Sequence, residues 1–222
     1  MRTQCESSDS RYDFDYKAIG GATFNLVPYL FEYLGLEGAD YVILEISSCV
    51  RFSKTRDGYM RILEEIAGLC QARGAIPCFI QLYRRAIDYS DDPLTDAIQT
   101  FASDNRLPCL DLFSAMVEQR NKGTLQTYLR DGTHTADLGT EFYAKGLLQF
   151  IDDIVAGDAE GRWTRSGGAT SPKVFIPIDT LTDSGEFESF VRGRLKMTYY
   201  KLEEGSELKI TMPERHVYIG IM

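Results

Sequence analysis

The strongest constraint on the fold is an alternation: from Ala39 to about Asp153, short apolar β-rich runs and helix-patterned stretches succeed one another. Parallel strands joined by crossover helices give that order, so an α/β core is predicted. Tyr41-Val42-Ile43-Leu44-Glu45-Ile46 reads as a buried strand. Asp57 to Arg73 follows as a helix with Ile62, Leu63, Ile66, Leu69 and Cys70 on one face, stopped by Gly74. Ile76 to Leu82 reads as the second strand. Asp92-Pro93 then supplies an N-cap and a proline at the first helical position, ahead of Leu94, Ala97, Ile98 and Phe101 on one face. Leu107 to Phe113 reads as the third strand, and Leu138 to Val155 as a last amphipathic helix with Phe142, Tyr143, Leu147, Phe150, Ile151 and Ile154 turned inward. Upstream, Ala22 to Leu34 reads as another helix, with Pro28 expected to kink it.

Chain length sets the domain plan. In 222 residues there is room for one domain of ~150 residues and a remainder too short for a second ordinary one. Between Gly157 and Pro172 the composition turns to Gly, Ser, Thr and charge, including Ser166-Gly167-Gly168. The expected organisation is an α/β domain over 1–156, a linker over 157–172 and a small β-rich module over 173–222. The module's strand-like runs are Val174 to Ile176, Leu195 to Leu202, Leu208 to Met212 and Val217 to Ile221, with Glu203 to Glu207 as a hairpin loop. About 50 residues of β structure are marginal alone, so the module should pack on the first domain or on a partner chain. Composition leaves both glycan binding and a homo-oligomeric contact open for it.

Charge and cysteine content exclude several classes of function. Thirty-three acidic against 24 basic residues give a net charge of −9, which repels nucleic acid and anionic membrane. The five cysteines, Cys5, Cys49, Cys70, Cys78 and Cys109, are an odd number without a C-x-x-C, so neither a disulfide framework nor a metal site is expected. A reducing, cytoplasmic location is the simpler expectation. No apolar leader region or run of ~20 apolar residues occurs, so no membrane span is predicted. Gly20-Gly21 lacks the Lys-Ser/Thr of a phosphate loop and no G-x-G-x-x-G is present, so no nucleotide cofactor is implied.

One string carries the chemistry. Leu129-Arg130-Asp131-Gly132-Thr133-His134 lies directly before the last helix, in a chain with one other histidine, His216, which has no comparable acid beside it. Acyl transfer needs an imidazole to take the proton from a nucleophile and a carboxylate to hold its other nitrogen in the right tautomer. Asp131 and His134 are spaced for such a pair. The same residues in a Gly-containing turn also suit a plain helix-entry loop.

The motif Asp131-Gly132-Thr133-His134-Thr135-Ala136-Asp137-Leu138-Gly139, followed by Phe142-Tyr143-Ala144, resembles the last block of the SGNH (GDSL-type) esterase and acyltransferase family. The order of strands and helices from Ala39 to Asp111 is similar to that family's middle section, and Gly20-Gly21-Ala22-Thr23 resembles its second block. Together the resemblance covers roughly residues 7 to 155. It implies a three-layer α/β/α fold with a parallel sheet, and an esterase or O-acyltransferase acting on a small acyl or carbohydrate ester, with no metal or organic cofactor.

By the resemblance, Ser10 is the nucleophile, with Ser8 and Ser7 as neighbours that a shifted alignment would choose. His134 is the base and Asp131 its partner, and the backbone N–H groups of Ser10 and Gly21 hold the oxyanion. Two blocks depart from the family's pattern. Ser8-Asp9-Ser10-Arg11 stands where Gly-Asp-Ser is usual, after a polar rather than an apolar run. Ser47-Ser48-Cys49-Val50 stands where Gly-x-Asn-Asp is usual, so Cys49 would replace a side-chain amide donor, with Ser48 as the hydroxyl beside it. Cys49 at a strand end also permits a thiol nucleophile activated by His134, although buried cysteine is commonly just a small hydrophobe. Arg84 and Arg85, just past the second strand, could bind an anionic group of a substrate or serve in surface ion pairs. The rival reading is a chain of the same fold that binds or scaffolds without turnover.

Overall fold

The computed structural model describes residues 12–16, 18, 22–34, 36, 38–51, 53, 55–157, 187–192 and 195–200. The chain divides into two compact units, Gly21–Val174 on the one hand and Met1–Gly20 with Phe175–Met222 on the other.

In the first unit three strands form a parallel sheet in the order β1 (Tyr41–Glu45), β2 (Ile76–Gln81), β3 (Cys109–Asp111). Alternation along β1 divides its side chains between two cores. Val42 and Leu44 join Phe79 of β2 against helices α2 (Arg56–Ala72) and α3 (Pro93–Asp104), while Tyr41 and Ile43 join Cys78 and Ile80 against helix α6 (Asp137–Ala156). Because both faces are covered, the strands read as continuous apolar runs. Each fully buried side chain such as Phe79, Leu63 or Ile98 contributes roughly 1.5–3 kcal/mol from burial.

Local chemistry explains the helix limits. Helix α2 buries Tyr59, Leu63, Ile66, Ala67 and Cys70, and ends in a two-bond stop: Gly74 N donates to Gln71 O (2.9 Å) and Ala75 N to Cys70 O (3.0 Å). Gly74 has φ +76°, a region that favours glycine. Helix α3 starts as its sequence predicts, with Asp92 accepting from Thr95 N at 2.9 Å and Pro93 in the first position.

Two expectations are corrected. The third strand is only Cys109–Asp111; the apolar run continues into helix α4 (Leu112–Asn121), because the Asp111 carboxylate accepts from Ser114 N (2.9 Å) and caps a new helix. Pro28 does not kink a helix. A 3₁₀ turn over Phe24–Leu26 leads into α1 (Val27–Leu34), and Pro28 is its second residue, where no N–H is needed for an intrahelical bond. A short helix α5 (Leu125–Tyr128) precedes the loop that carries His134.

In the second unit an antiparallel hairpin pairs β4 (Phe187–Arg192) with β5 (Leu195–Tyr200). β5 falls within the strand expected over Leu195 to Leu202, and β4 was not expected. The strands expected over Val174 to Ile176, Leu208 to Met212 and Val217 to Ile221 lie outside the described residues.

Candidate functional site

The parallel strands end at Glu45, Gln81 and Asp111, and the segments directly after β1 and β2 carry Ser48, Cys49, Arg84 and Arg85. In α/β sheets this carboxyl edge is where ligand sites form.

The loop bearing His134 is closed by backbone bonds. Leu129 and Thr135 form an antiparallel bridge, Arg130 N donates to His134 O (3.0 Å), and Ala136 N donates to Tyr128 O (2.8 Å). Gly139 lies so close to the Tyr128 carbonyl that any Cβ there would collide with it, which seats the first turn of α6 directly on the end of α5. Within the loop, Asp131 Oδ1 accepts from the backbone N–H of Thr133 (2.7 Å) and of His134 (2.8 Å), and Oδ2 lies 2.7 Å from His134 Nδ1. These bonds to His134 and Thr133 hold the Asp131 carboxyl down at about 2. With Nδ1 engaged by a carboxylate, Nε2 is the nitrogen left to accept a proton, and the imidazole is 67% exposed, so a substrate can reach it.

This loop is fastened to the end of β2. Arg85 N donates to Gly132 O at 2.8 Å, and a Cβ on Gly132 would stand 2.9 Å from Arg85 Cβ. One residue earlier, Arg84 Nη1 donates to Ser48 O at 2.7 Å, which ties the same segment to the turn after β1. That turn is built around Glu45, whose Oε1 accepts from Ser47 Oγ (2.6 Å) and Ser48 N (3.0 Å) and whose Oε2 accepts from Ser48 Oγ (2.5 Å). Ser47 Oγ also accepts from Leu82 N (3.0 Å), joining the ends of β1 and β2. Arg51 closes the turn from its far side, donating from Nη1 to Ser47 O and Cys49 O (2.7 and 2.8 Å) and forking onto Asp92 (3.0 and 2.8 Å).

The structure thus brings together Asp131, His134, Arg84, Arg85 and Ser48 along one edge of the sheet. Cys49 belongs to the same turn, but it packs against the hydrophobic core, and burial, with Glu45 nearby, pushes its thiol up to about 11. A protonated thiol at neutral pH is a poor nucleophile. Ser7, Ser8, Ser10, Gly20, Gly21 and His216 lie outside the described residues. The residues after Gly21 are described: Val50 N donates to Ala22 O (2.9 Å) and Phe24 N to Val50 O (3.1 Å), so Thr23 runs parallel beside Val50.

Glu45 and Arg51 were not singled out from the sequence, and Asp92 only as the N-cap of α3. Glu45 did carry a signal, a carboxylate at the end of the otherwise apolar run Tyr41 to Ile46. Among the described residues no group of three or more His, Cys, Asp or Glu side chains could hold a metal ion, and no helix is long and apolar enough to cross a membrane.

Fold and site together define an α/β protein: a parallel sheet, flanking helices, and an Asp–His pair on a loop at the carboxyl edge. Among solved structures the chain is similar to a “putative acylhydrolase” from Bacteroides fragilis NCTC 9343, with a TM-score of 0.50 and 19% identity over 63% of this chain and 74% of that one. No family model matches the sequence, and no curated protein matches it.

Proposed function

We propose that the chain is an SGNH-type esterase or O-acyltransferase acting on a small acyl or carbohydrate ester. The observation that carries this reading is the 2.7 Å contact between Asp131 Oδ2 and His134 Nδ1, which leaves Nε2 open to solvent as a general base. The similarity of fold to an acylhydrolase structure supports the same class.

In the proposed reaction a serine hydroxyl oxygen, assigned to Ser10 or else Ser8 by the sequence resemblance, attacks the ester carbonyl carbon. The hydroxyl proton passes to His134 Nε2 and the carbonyl electron pair moves onto oxygen. Collapse of that adduct expels the alkoxide, which leaves with the proton from His134. Water, or an acceptor alcohol, then repeats the sequence on the acyl-serine. The test is turnover of p-nitrophenyl acetate together with serine-directed fluorophosphonate labelling, the labelled residue being mapped by peptide mass spectrometry. Labelling at Ser10 or Ser8 that vanishes in His134→Ala supports the reading, and a parent protein that shows neither labelling nor turnover refutes it.

One observation favours a second reading, a non-catalytic binding protein of the same fold. Both Ser48 N and Ser48 Oγ are already committed to Glu45, and Cys49 packs inward, so the turn after β1 offers no side-chain amide to an oxyanion. Absence of one such donor costs roughly 10²–10³ in rate unless another group takes its place.

A further inference from the structure

We infer that Arg84 is that group: its guanidinium is the oxyanion donor of the site, standing in for the amide that the turn after β1 lacks. The inference rests on the reading of His134 as the general base. Three observations carry it. First, Arg84 follows β2 directly and is flanked by the two pieces of the site, with its own Nη1 on Ser48 O (2.7 Å) and the backbone N of its neighbour Arg85 on Gly132 O (2.8 Å). Second, the head group is oriented. Nη1 is anchored and Nε is buried with no hydrogen-bond partner, so the planar fork presents Nη2, which is neither buried nor bonded, toward solvent at the carboxyl edge. Third, Arg51, the other cation bonded to this turn among the described residues, is spent on Asp92 and on the Ser47 and Cys49 carbonyls.

A guanidinium in this place acts where charge develops. In the ester the carbonyl oxygen is neutral and accepts weakly; once the serine oxygen has bonded to the carbonyl carbon, that oxygen bears the full negative charge. The guanidinium is charged throughout, so its bond from Nη2 strengthens as the acceptor passes from a neutral carbonyl oxygen to an oxyanion. The interaction is therefore stronger in the transition state than in the ground state and should raise kcat with little effect on KM. A binder of anionic substrate groups would behave in the opposite way, setting KM for charged esters only.

The two roles separate on p-nitrophenyl acetate, which has no anionic group. In Arg84→Ala, kcat is expected to fall about 10²-fold with KM changed little, and the rate of fluorophosphonate labelling to fall in step. Millimolar guanidinium added back should restore part of the loss. Arg84→Lys keeps a cation that can reach Ser48 O but loses the fork, so it guards against a variant that fails to fold; its urea midpoint should match the parent while its kcat stays depressed. Full kcat in Arg84→Lys or Arg84→Ala, or an effect confined to KM for an anionic ester, overturns the assignment. If His134→Ala is inert while both Arg84 variants keep full kcat, only the Arg84 inference fails. If the parent protein neither turns over nor labels, the base reading fails and this inference with it.

Discussion

One oxygen of Asp131 sits 2.7 Å from His134 Nδ1, and its other oxygen takes the backbone N–H groups of Thr133 and His134 at 2.7 and 2.8 Å. A single carboxylate thus fixes both the ring and the peptide that carries it. Rotation of the imidazole releases Oδ2 and opening of the loop releases Oδ1, so each motion removes part of what orients the same carboxylate.

The Asp131 carboxyl is held at about 2 against an ordinary 3.8. An acid depressed on folding adds stability that is fully present above the unfolded value and is lost as pH falls through the folded one. The loop should therefore keep its arrangement on acidification to about pH 3, with loss centred near 2. Carbon-13 NMR of the Asp131 carboxyl should report that midpoint; a midpoint near 4 would mean that the bonds to Thr133 and His134 do not form in solution.

Replacement of Gly139 by alanine drives a methyl group into the Tyr128 carbonyl. A backbone atom cannot swing aside, so the first turn of α6 must shift, at a cost of about 1–3 kcal/mol, with disturbance of the Ala136 N to Tyr128 O bond that closes the His134 loop. Urea unfolding of Gly139→Ala is expected to show that loss. A midpoint equal to the parent's would contradict the close seating of α6 on α5.

Arg51 and Asp92 form a fork whose carboxylate side chain is only 8% exposed. Burial alone would raise the Asp92 carboxyl, but the bonds from Arg51 and Thr95 outweigh it and hold the group below its usual range. Arg51→Met leaves a nearly buried charge without its partner and should cost about 3–5 kcal/mol, with less than additive loss in the double variant that also removes Asp92. The Asp92 contribution is present above the ordinary carboxylate range and disappears as pH falls through its lowered folded value. The parent's acid unfolding should accordingly lie at lower pH than that of Arg51→Met, and coincident acid transitions would contradict the coupling.

Cys49, Cys70, Cys78 and Cys109 are free thiols that burial pushes up to about 11 or 12. At pH 7.5 they should resist iodoacetamide in the folded protein and react readily in urea. Site-resolved mass spectrometry of the alkylated peptides tests this. Rapid native labelling at Cys49 would restore a thiol to the list of candidate nucleophiles.

The regular elements with a full apolar period were legible: β1, β2, α2, α3 and α6 fall within a few residues of expectation. Where the apolar run passes without interruption from β3 into α4, hydrophobicity alone cannot tell a strand's end from a helix's start, and the Asp111 cap that decides the matter is a local hydrogen bond. Helix α4 escaped notice because it buries little beyond Leu112 and Met116. In the site, Asp131 and His134 were readable because their chemistry is complete within four residues. Arg51 and Asp92 meet across 41 positions, and Ser47 meets Leu82 across 35, so no local pattern announces them.

The bridge between Leu129 and Thr135 pins together the two ends of the segment that carries Asp131 and His134. A heptapeptide that zips shut on itself and holds an acid against an imidazole is a nearly self-contained cassette: beyond its own backbone it leans on one glycine downstream and on the Arg85 N–H that holds the Gly132 carbonyl. Such a cassette should survive transplantation ahead of an unrelated helix, provided that the recipient supplies a small residue where the two backbones touch and a donor for the Gly132 carbonyl.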